Sequence, residues 1–262
     1  MAGPAVITFG RTFFGALALL CGLTATGKRL SPGTRKDLAI LCFSGLLLAM
    51  HWYAFFQSIQ VSSVAIGLLT FSTFPIFVTF MEPYLFGEKL ETFDVAISFL
   101  VGVGLVLIVP AFDFSNKVTQ GVFWGVLSGF LFAALSLLNR KQVGKCPSLT
   151  VTFYQLSFAT LFNLPVVLIS GVLPSPRDFM LLLVLGAICT ASAHSLFNAG
   201  LTHIKAQLAG ITTGLEPVYG IIFSYALTGE APEQRTIIGG LIILGAVFLP
   251  ILRLGHPSVR QE

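Results

Sequence analysis

Nine apolar runs divide this chain, at roughly 5–24, 37–58, 63–86, 92–112, 119–139, 149–170, 178–202, 206–228 and 234–253. Each is near the ~20 residues a helix needs to cross the ~30 Å hydrocarbon core of a bilayer. In lipid the backbone must satisfy its own hydrogen bonds, in helices or in a closed barrel, and no alternating barrel pattern occurs. The expected fold class is therefore an all-α integral membrane protein with nine transmembrane spans. Composition agrees. Only 10% of residues are charged and 55% are hydrophobic, whereas soluble domains carry about 25% charged residues. The connections are short and polar, as in TGKRLSPGTRKD and NRKQVGKCPS, and leave no room for a separate soluble domain.

Charge sets an orientation. Alternate connections place Lys28, Arg29, Arg35, Lys36, Lys89, Arg140, Lys141, Lys145, Lys205, Arg253 and Arg260 on one side, eleven in all. Lys117, Arg177 and Arg235 fall on the other, and Arg11 lies inside a span. Cytoplasmic loops retain Lys and Arg, so the C-terminus is expected in the cytoplasm and residue 1 outside. The net charge of +4 is thus a topology signal. No clustered basic face with aromatic platforms points to nucleic acid. Cys21, Cys42, Cys146 and Cys189 stand singly, without metal-ligand or disulfide spacing. Their expected role is packing, and no cofactor or metal is expected.

The chain also repeats itself. FPIFVTFMEPYLFGEKL from Phe74 is echoed by EPVYGIIFSYALTGEAP from Glu216, with Gly-Glu beginning twelve residues after Pro75 and after Pro217. ITFGRTFF (7–14) aligns with VTFYQLSF (151–158), pairing Arg11 with Gln155, and YAFFQ (53–57) aligns with HSLFN (194–198). Three segments in one order at nearly one offset indicate duplication. Five spans separate the copies, an odd number, so the two halves run through the membrane in opposite directions. Inverted repeats of this kind build many secondary transporters, with the site near the midplane.

The Arg-bearing GRTFF (10–14), the two Pro and Gly-Glu pairs, and LEPVYGIIFSYALTGEAPEQRTIIGGLIILGAVFL (215–249) resemble the EamA family of the drug/metabolite transporter superfamily. The resemblance covers nearly the whole chain. It implies a ten-helix inverted-repeat bundle that carries small metabolites, often amino acids or their derivatives, mostly outward across a bacterial inner membrane. On this reading residues 1–112 form a first repeat of four spans, 113–254 a second of five, and 255–262 a cytoplasmic tail. The counterpart of 119–139 would precede residue 1, so either the parent gene encodes one more apolar run upstream or the nine-span form is native.

Polar side chains at membrane depth are costly unless paired, so they mark either a solute path or interhelical hydrogen bonds. Tyr53 and Gln57, four apart on one helical face, and their repeat counterparts His194 and Asn198 are the main candidates for substrate binding. Arg11 and its counterpart Gln155 join them. Arg11 would hold a substrate carboxylate or snorkel to the headgroups. Glu216, before Pro217, is the candidate for proton coupling if desolvated; the alternative is an interfacial acid. Glu82 reads as solvated near the cytoplasmic face, and His51 as a packing histidine. GVLSG (125–129) and GGLIILG (239–245) read as close helix contacts.

An intramembrane enzyme would need a nucleophile with its base or i, i+4 metal ligands. His194 and Ser195 point to different helix faces, and neither H-E-x-x-H nor a P-loop occurs. A carrier is the reading; a structural or regulatory membrane subunit is the alternative. The expected partners are a small-molecule substrate and the lipid bilayer, with a second copy of the chain as the candidate protein partner.

Overall fold

The computed structural model describes residues 3–27, 30–87, 90, 92–109, 113–172, 174–204, 206, 209, 213 and 215–254, with backbone alone for 250–254. Glu88, the acid closing the first copy of the doubled stretch, lies outside these residues, as do Lys28, Arg29, Lys89, Lys205 and Arg260. All regular structure among the described residues is helical. In chain order the helices are α1 (Pro4–Ala25), α2 (Arg35–Val61), α3 (Val64–Phe71), α4 (Phe74–Phe86), α5 (Thr92–Ile108), α6 (Lys117–Val143), α7 (Ser148–Ser170) and α8 (Pro176–Val184). A π-helical segment (Leu185–Thr190), α9 (Ala191–Gly200), α10 (Glu216–Thr228) and α11 (Gln234–Leu254) follow. Among the described residues six helical stretches are long and apolar enough to cross a membrane, and Thr92–Ile108 and Gln234–Leu249 are shorter apolar helices. This is a multi-pass, all-α membrane fold.

The doubled stretch folds the same way twice. α4 and α10 are each 13 residues long. The residues before them, Thr73 (φ −75°, ψ −9°) and Leu215 (φ −77°, ψ −15°), share one backbone conformation. Pro75 and Pro217 sit in the first turns, where a missing N–H would have had no intrahelical acceptor anyway. Gly87 and Gly229 close the helices in the left-handed region at φ 68° and 72°, which a side chain would strain. Their N–H groups donate to Pro83 O at 3.0 Å and Tyr225 O at 2.9 Å. The run 63–86 is therefore two helices broken at Ser72 and Thr73, not one rod. Each proline starts a helix; neither kinks one midway.

The helices gather into two compact units, Met1–Phe56 with Leu131–Ala209, and Gln57–Phe130 with Gly210–Glu262. Each unit takes helices from both halves of the sequence. In the first, α1 packs on α7, α8 and the π segment. Backbones nearly touch there: a Cβ added to Gly186 would meet Arg11 O at 2.8 Å, and one added to Gly15 would meet Gly186 O at 3.2 Å. Val6, Phe14 and Leu182 fill one part of this unit, and Leu41, Cys146 and Val151 another. Cys146 is thus a packing residue, with its thiol donating to Pro32 O at 3.4 Å. The polar stretch NRKQV does not begin a loop, because α6 continues through Val143. Beyond it, Lys145 Nζ stands 3.4 Å from Asp37 Oδ1.

The second unit is built around an apolar seam between α5 and α11. Ile97, Val101, Ile108, Ile243, Ala246 and Val247 are buried along it, with Ile66 and Leu69 of α3 against them. Gly104 and Gly239 face each other so closely that a Cβ on Gly239 would lie 2.6 Å from Gly104 O. In lipid, helices associate through such van der Waals contact, not through expulsion of water. Glu82 of α4 is 3% exposed. The sequence reading of a solvated acid is corrected by this burial.

Candidate functional site

Most hydroxyls within the spans are satisfied by their own helix. Thr8 donates to Pro4 O at 2.7 Å, Thr12 to Thr8 O at 2.9 Å and Thr70 to Ile66 O at 2.6 Å. Such i−4 bonds leave no need for a partner elsewhere. The informative side chains are those that reach across helices, and in the first unit they form two groups.

The first group surrounds a cation. Arg11 of α1 holds its guanidinium carbon 3.8 Å from the centroid of the Trp52 ring and 5.4 Å from that of Phe56. Its Nε donates to Thr190 Oγ1 at 3.1 Å. Thr190 is ready to accept because its own proton is spent on Leu185 O, at 2.7 Å and five residues back. That five-residue reach is the π geometry of Leu185–Thr190, a feature that recurs at functional sites. The head group therefore turns toward aromatic faces and a hydroxyl, not outward to headgroups. A cation over an indole face is attracted by the ring quadrupole. On the same indole, the His194 ring packs edge-on with centroids 4.7 Å apart. His194 Nδ1 and Ser195 Oγ, its neighbour in sequence, are both buried without a hydrogen-bond partner among the described residues. His51 packs on Phe132 at 4.8 Å, as a packing histidine should.

The second group is a chain of amides. Gln155 Nε2 donates to Asn139 Oδ1. Asn139 Nδ2 donates to Asn198 Oδ1 at 2.8 Å and lies 3.4 Å from Gln155 Oε1. Asn198 Nδ2 donates to Thr152 Oγ1 at 2.9 Å, and Thr152 in turn donates to Ser148 O at 2.9 Å. Donors and acceptors alternate until the chain ends on backbone. Asn139, Thr152, Gln155 and Asn198 are all 0–1% exposed. The network ties α6, α7 and α9 together.

Of the residues singled out in sequence, Arg11, His194, Gln155 and Asn198 thus lie in the first unit, each with buried neighbours. Tyr53, next to Trp52, is 37% exposed. Gln57 and Glu216 belong to the second unit. Glu216 stands exposed in the first turn of α10, where a negative charge complements the helix N-terminus. The burial that would desolvate it is not found. Sequence reasoning missed Asn139 and Thr190 as site neighbours. Asn139 borders Arg140 and Lys141, which drew it into the polar connection. The i, i+5 relation of Leu185 and Thr190 matches no α-helical period. Among the described residues no group of three or more His, Cys, Asp or Glu side chains could hold a metal.

The chain is similar to known proteins in fold and in sequence. A solved crystal structure superposes with a TM-score of 0.72 at 18% identity, over 98% of this chain and 90% of its own. An uncharacterised transporter of Archaeoglobus fulgidus is 29% identical, over 93% of this chain and 85% of its own. The pseudopaline exporter CntI of Pseudomonas aeruginosa is 26% identical, over 92% and 84%. An S-adenosylmethionine uptake transporter of Rickettsia prowazekii is 24% identical, over 94% and 82%. The sequence pattern of the EamA-like transporter family matches residues 2–109 and again 119–252. With both halves matched across nearly its full length, the chain belongs to the EamA-like transporter family and is a transporter, not an enzyme.

Proposed function

We propose that this chain is a secondary transporter that carries a small metabolite bearing a carboxylate, an amino acid or a close derivative, outward by alternating access. The observation that carries this reading is Arg11, a cation inside a span held on Trp52 and Thr190. A charge at that depth is costly, and a guanidinium fork matches a carboxylate in geometry and charge. Beside it, His194, on the same indole ring, has a buried Nδ1 without a hydrogen-bond partner among the described residues. Tyr53, the residue after Trp52, is read as a further contact to the solute, while Gln155 and Asn198 hold together helices packed on α1. The repeats, 1–112 and 113–254, are read as inverted copies that exchange roles between inward-open and outward-open states. Gln57 and Glu216 enter as the second unit's contribution to that exchange, Glu216 as the proton-linked candidate. The membrane is read as a bacterial inner membrane, with the connection after α6 on its cytoplasmic side. Relatives named for export and for uptake make direction an experimental quantity.

Reconstitution into liposomes with a panel of labelled amino acids and derivatives tests the reading. The expected result is unmodified solute crossing the membrane, saturably, with neutral and acidic carboxylates competing and amides of the same compounds failing to compete. Transport that is indifferent to the carboxylate, or no movement of any compound in the panel, would overturn it.

A further inference from the structure

We propose that the connection entering α2 is a latch. Residues 30–37 form a ready-made turn that shuts one end of the first unit in this conformation and lifts away when that end opens. The charge bias assigns this end to the cytoplasm. The name inward-open for the lifted form rests on the transport reading; the latch itself rests on geometry.

The turn is rigid within itself. Asp37 Oδ2 accepts from Thr34 N–H at 3.0 Å and from the Thr34 hydroxyl at 2.7 Å, and Asp37 N–H donates to Thr34 Oγ1 at 3.2 Å. Such reciprocal bonding caps a helix start, so the turn travels with the first turn of α2. Glycines in the left-handed region, Gly27 at φ 65° and Gly33 at φ 85°, punctuate the approach. Glycine passes between conformations that other residues resist.

Four attachments hold the turn to α6, α7 and their connection, and each is weak. Gln142 Nε2 donates to Asp37 O at 3.2 Å, and Tyr154 OH to Leu30 O at 3.3 Å. Both are longer than the usual ~2.7–3.0 Å. Cys146 donates to Pro32 O through a thiol, a poor donor. Lys145 meets Asp37 Oδ1 at 3.4 Å with 50% of its side chain exposed, where an ion pair contributes little. In the amide chain, by contrast, Asn139 and Asn198 donate at 2.8 and 2.9 Å. All four attachments can part without opening the backbone ladder of any helix.

The independent observation is what the closed seam leaves unpaired. Gln142 Oε1 and Ser44 Oγ have no hydrogen-bond partner among the described residues, and both residues are 0% exposed. Turning the Gln142 amide over brings no relief, since Asp37 O needs its Nε2. Ser44 lies two turns along α2 from Asp37, on the same face. Unpaired buried polar groups are costly, and water removes that cost once α2 tilts from α6. Closure therefore gains weak bonds and strands polar atoms, which keeps the two forms close in free energy, as a two-state carrier requires.

The test uses the full chain in liposomes with Cys21, Cys42 and Cys189 changed to serine. Pro32→Cys sets a second thiol beside Cys146. Bridging the pair with a short bis-methanethiosulfonate is expected to stop solute flux, and a reductant to restore it. In a second arm Cys146, 5% exposed, is the only cysteine, and its labelling by an impermeant maleimide is timed. Lys145→Gln with Tyr154→Phe, which removes two attachments, is expected to speed labelling about tenfold. Flux undiminished by the bridge would overturn the latch, as would a labelling rate that the two substitutions leave unchanged. Faster labelling in a chain that moves no solute would support the latch and overturn the transport reading instead.

Discussion

The first unit places amides, a cation and an imidazole where helices meet; the second closes its main seam with glycines and branched aliphatics. α5 against α11 needs no polar contact, because Gly104 and Gly239 let two backbones meet and Ile97, Val101 and Ile243 fill the flanks. α6, α7 and α9 are joined through Asn139, Gln155 and Asn198. Apolar packing is insensitive to a passing solute, while hydrogen-bonded contacts can be exchanged for bonds to one. The contrast separates a seam built to stay shut from one whose bonds have alternatives.

The largest effect should come from the dry seam. Gly239→Leu forces a Cβ to 2.6 Å from Gly104 O, a backbone atom that cannot swing aside. We expect a loss of about 3 kcal/mol or failure to accumulate in the membrane, read by denaturant unfolding in micelles. Gly245→Leu, where no atom lies within 4 Å of the added Cβ, should be silent. Equal costs at both positions would break the account of the seam.

Next is the amide chain. Asn139→Ala removes the acceptor of Gln155 Nε2 and the donor to Asn198 Oδ1. Leaving buried polar groups unpaired costs about 1–3 kcal/mol, so unfolding midpoints should drop while apolar helix contacts persist. A stability unchanged from wild type would show that water or solute replaces Asn139 readily, and would move the network from scaffold to path.

Arg11→Gln sharpens the division within the first unit. Transport should fall at least about tenfold, equivalent to ~1.4 kcal/mol, with unfolding close to that of the wild-type chain. A stability loss without a transport defect would make Arg11 a structural cation. The smallest effect is reserved for Thr190→Val, which removes one acceptor from Arg11 Nε. A loss of about 0.5–1.5 kcal/mol in substrate affinity is expected, and Thr190→Ser, which keeps the hydroxyl, should restore it.

Sequence alone carried the helical membrane class, because bilayer thickness dictates run length directly. It also carried the doubled stretch, since proline at a helix start and glycine at a helix end are backbone requirements visible residue by residue. Side-chain environment was harder to see. Glu82 lies six residues before the end-of-span Glu88 and so read as wet, yet neighbouring helices bury it. Glu216 read either as a desolvated acid or as an interfacial one, and it is exposed. Arg11 could be placed in a span, but whether it turned out to headgroups or in to Trp52 depended on an aromatic 41 positions away in the chain. Burial is a property of several helices at once, and no single periodicity encodes it.

The π segment Leu185–Thr190 can be restated as a matter of counting. Such a turn is an α-helix with one residue too many, and one residue of helix is about 100° of rotation. Everything after it, Ala191–Gly200, is therefore turned by roughly that angle from where an uninterrupted helix would carry it. His194 meets the Trp52 ring and Asn198 meets Asn139 on the face that this rotation presents. Deleting a single residue between 185 and 190 would leave the composition of α9 untouched and aim a different set of side chains inward. The chemistry of the first unit's interior is thus set by a residue count as much as by residue identity.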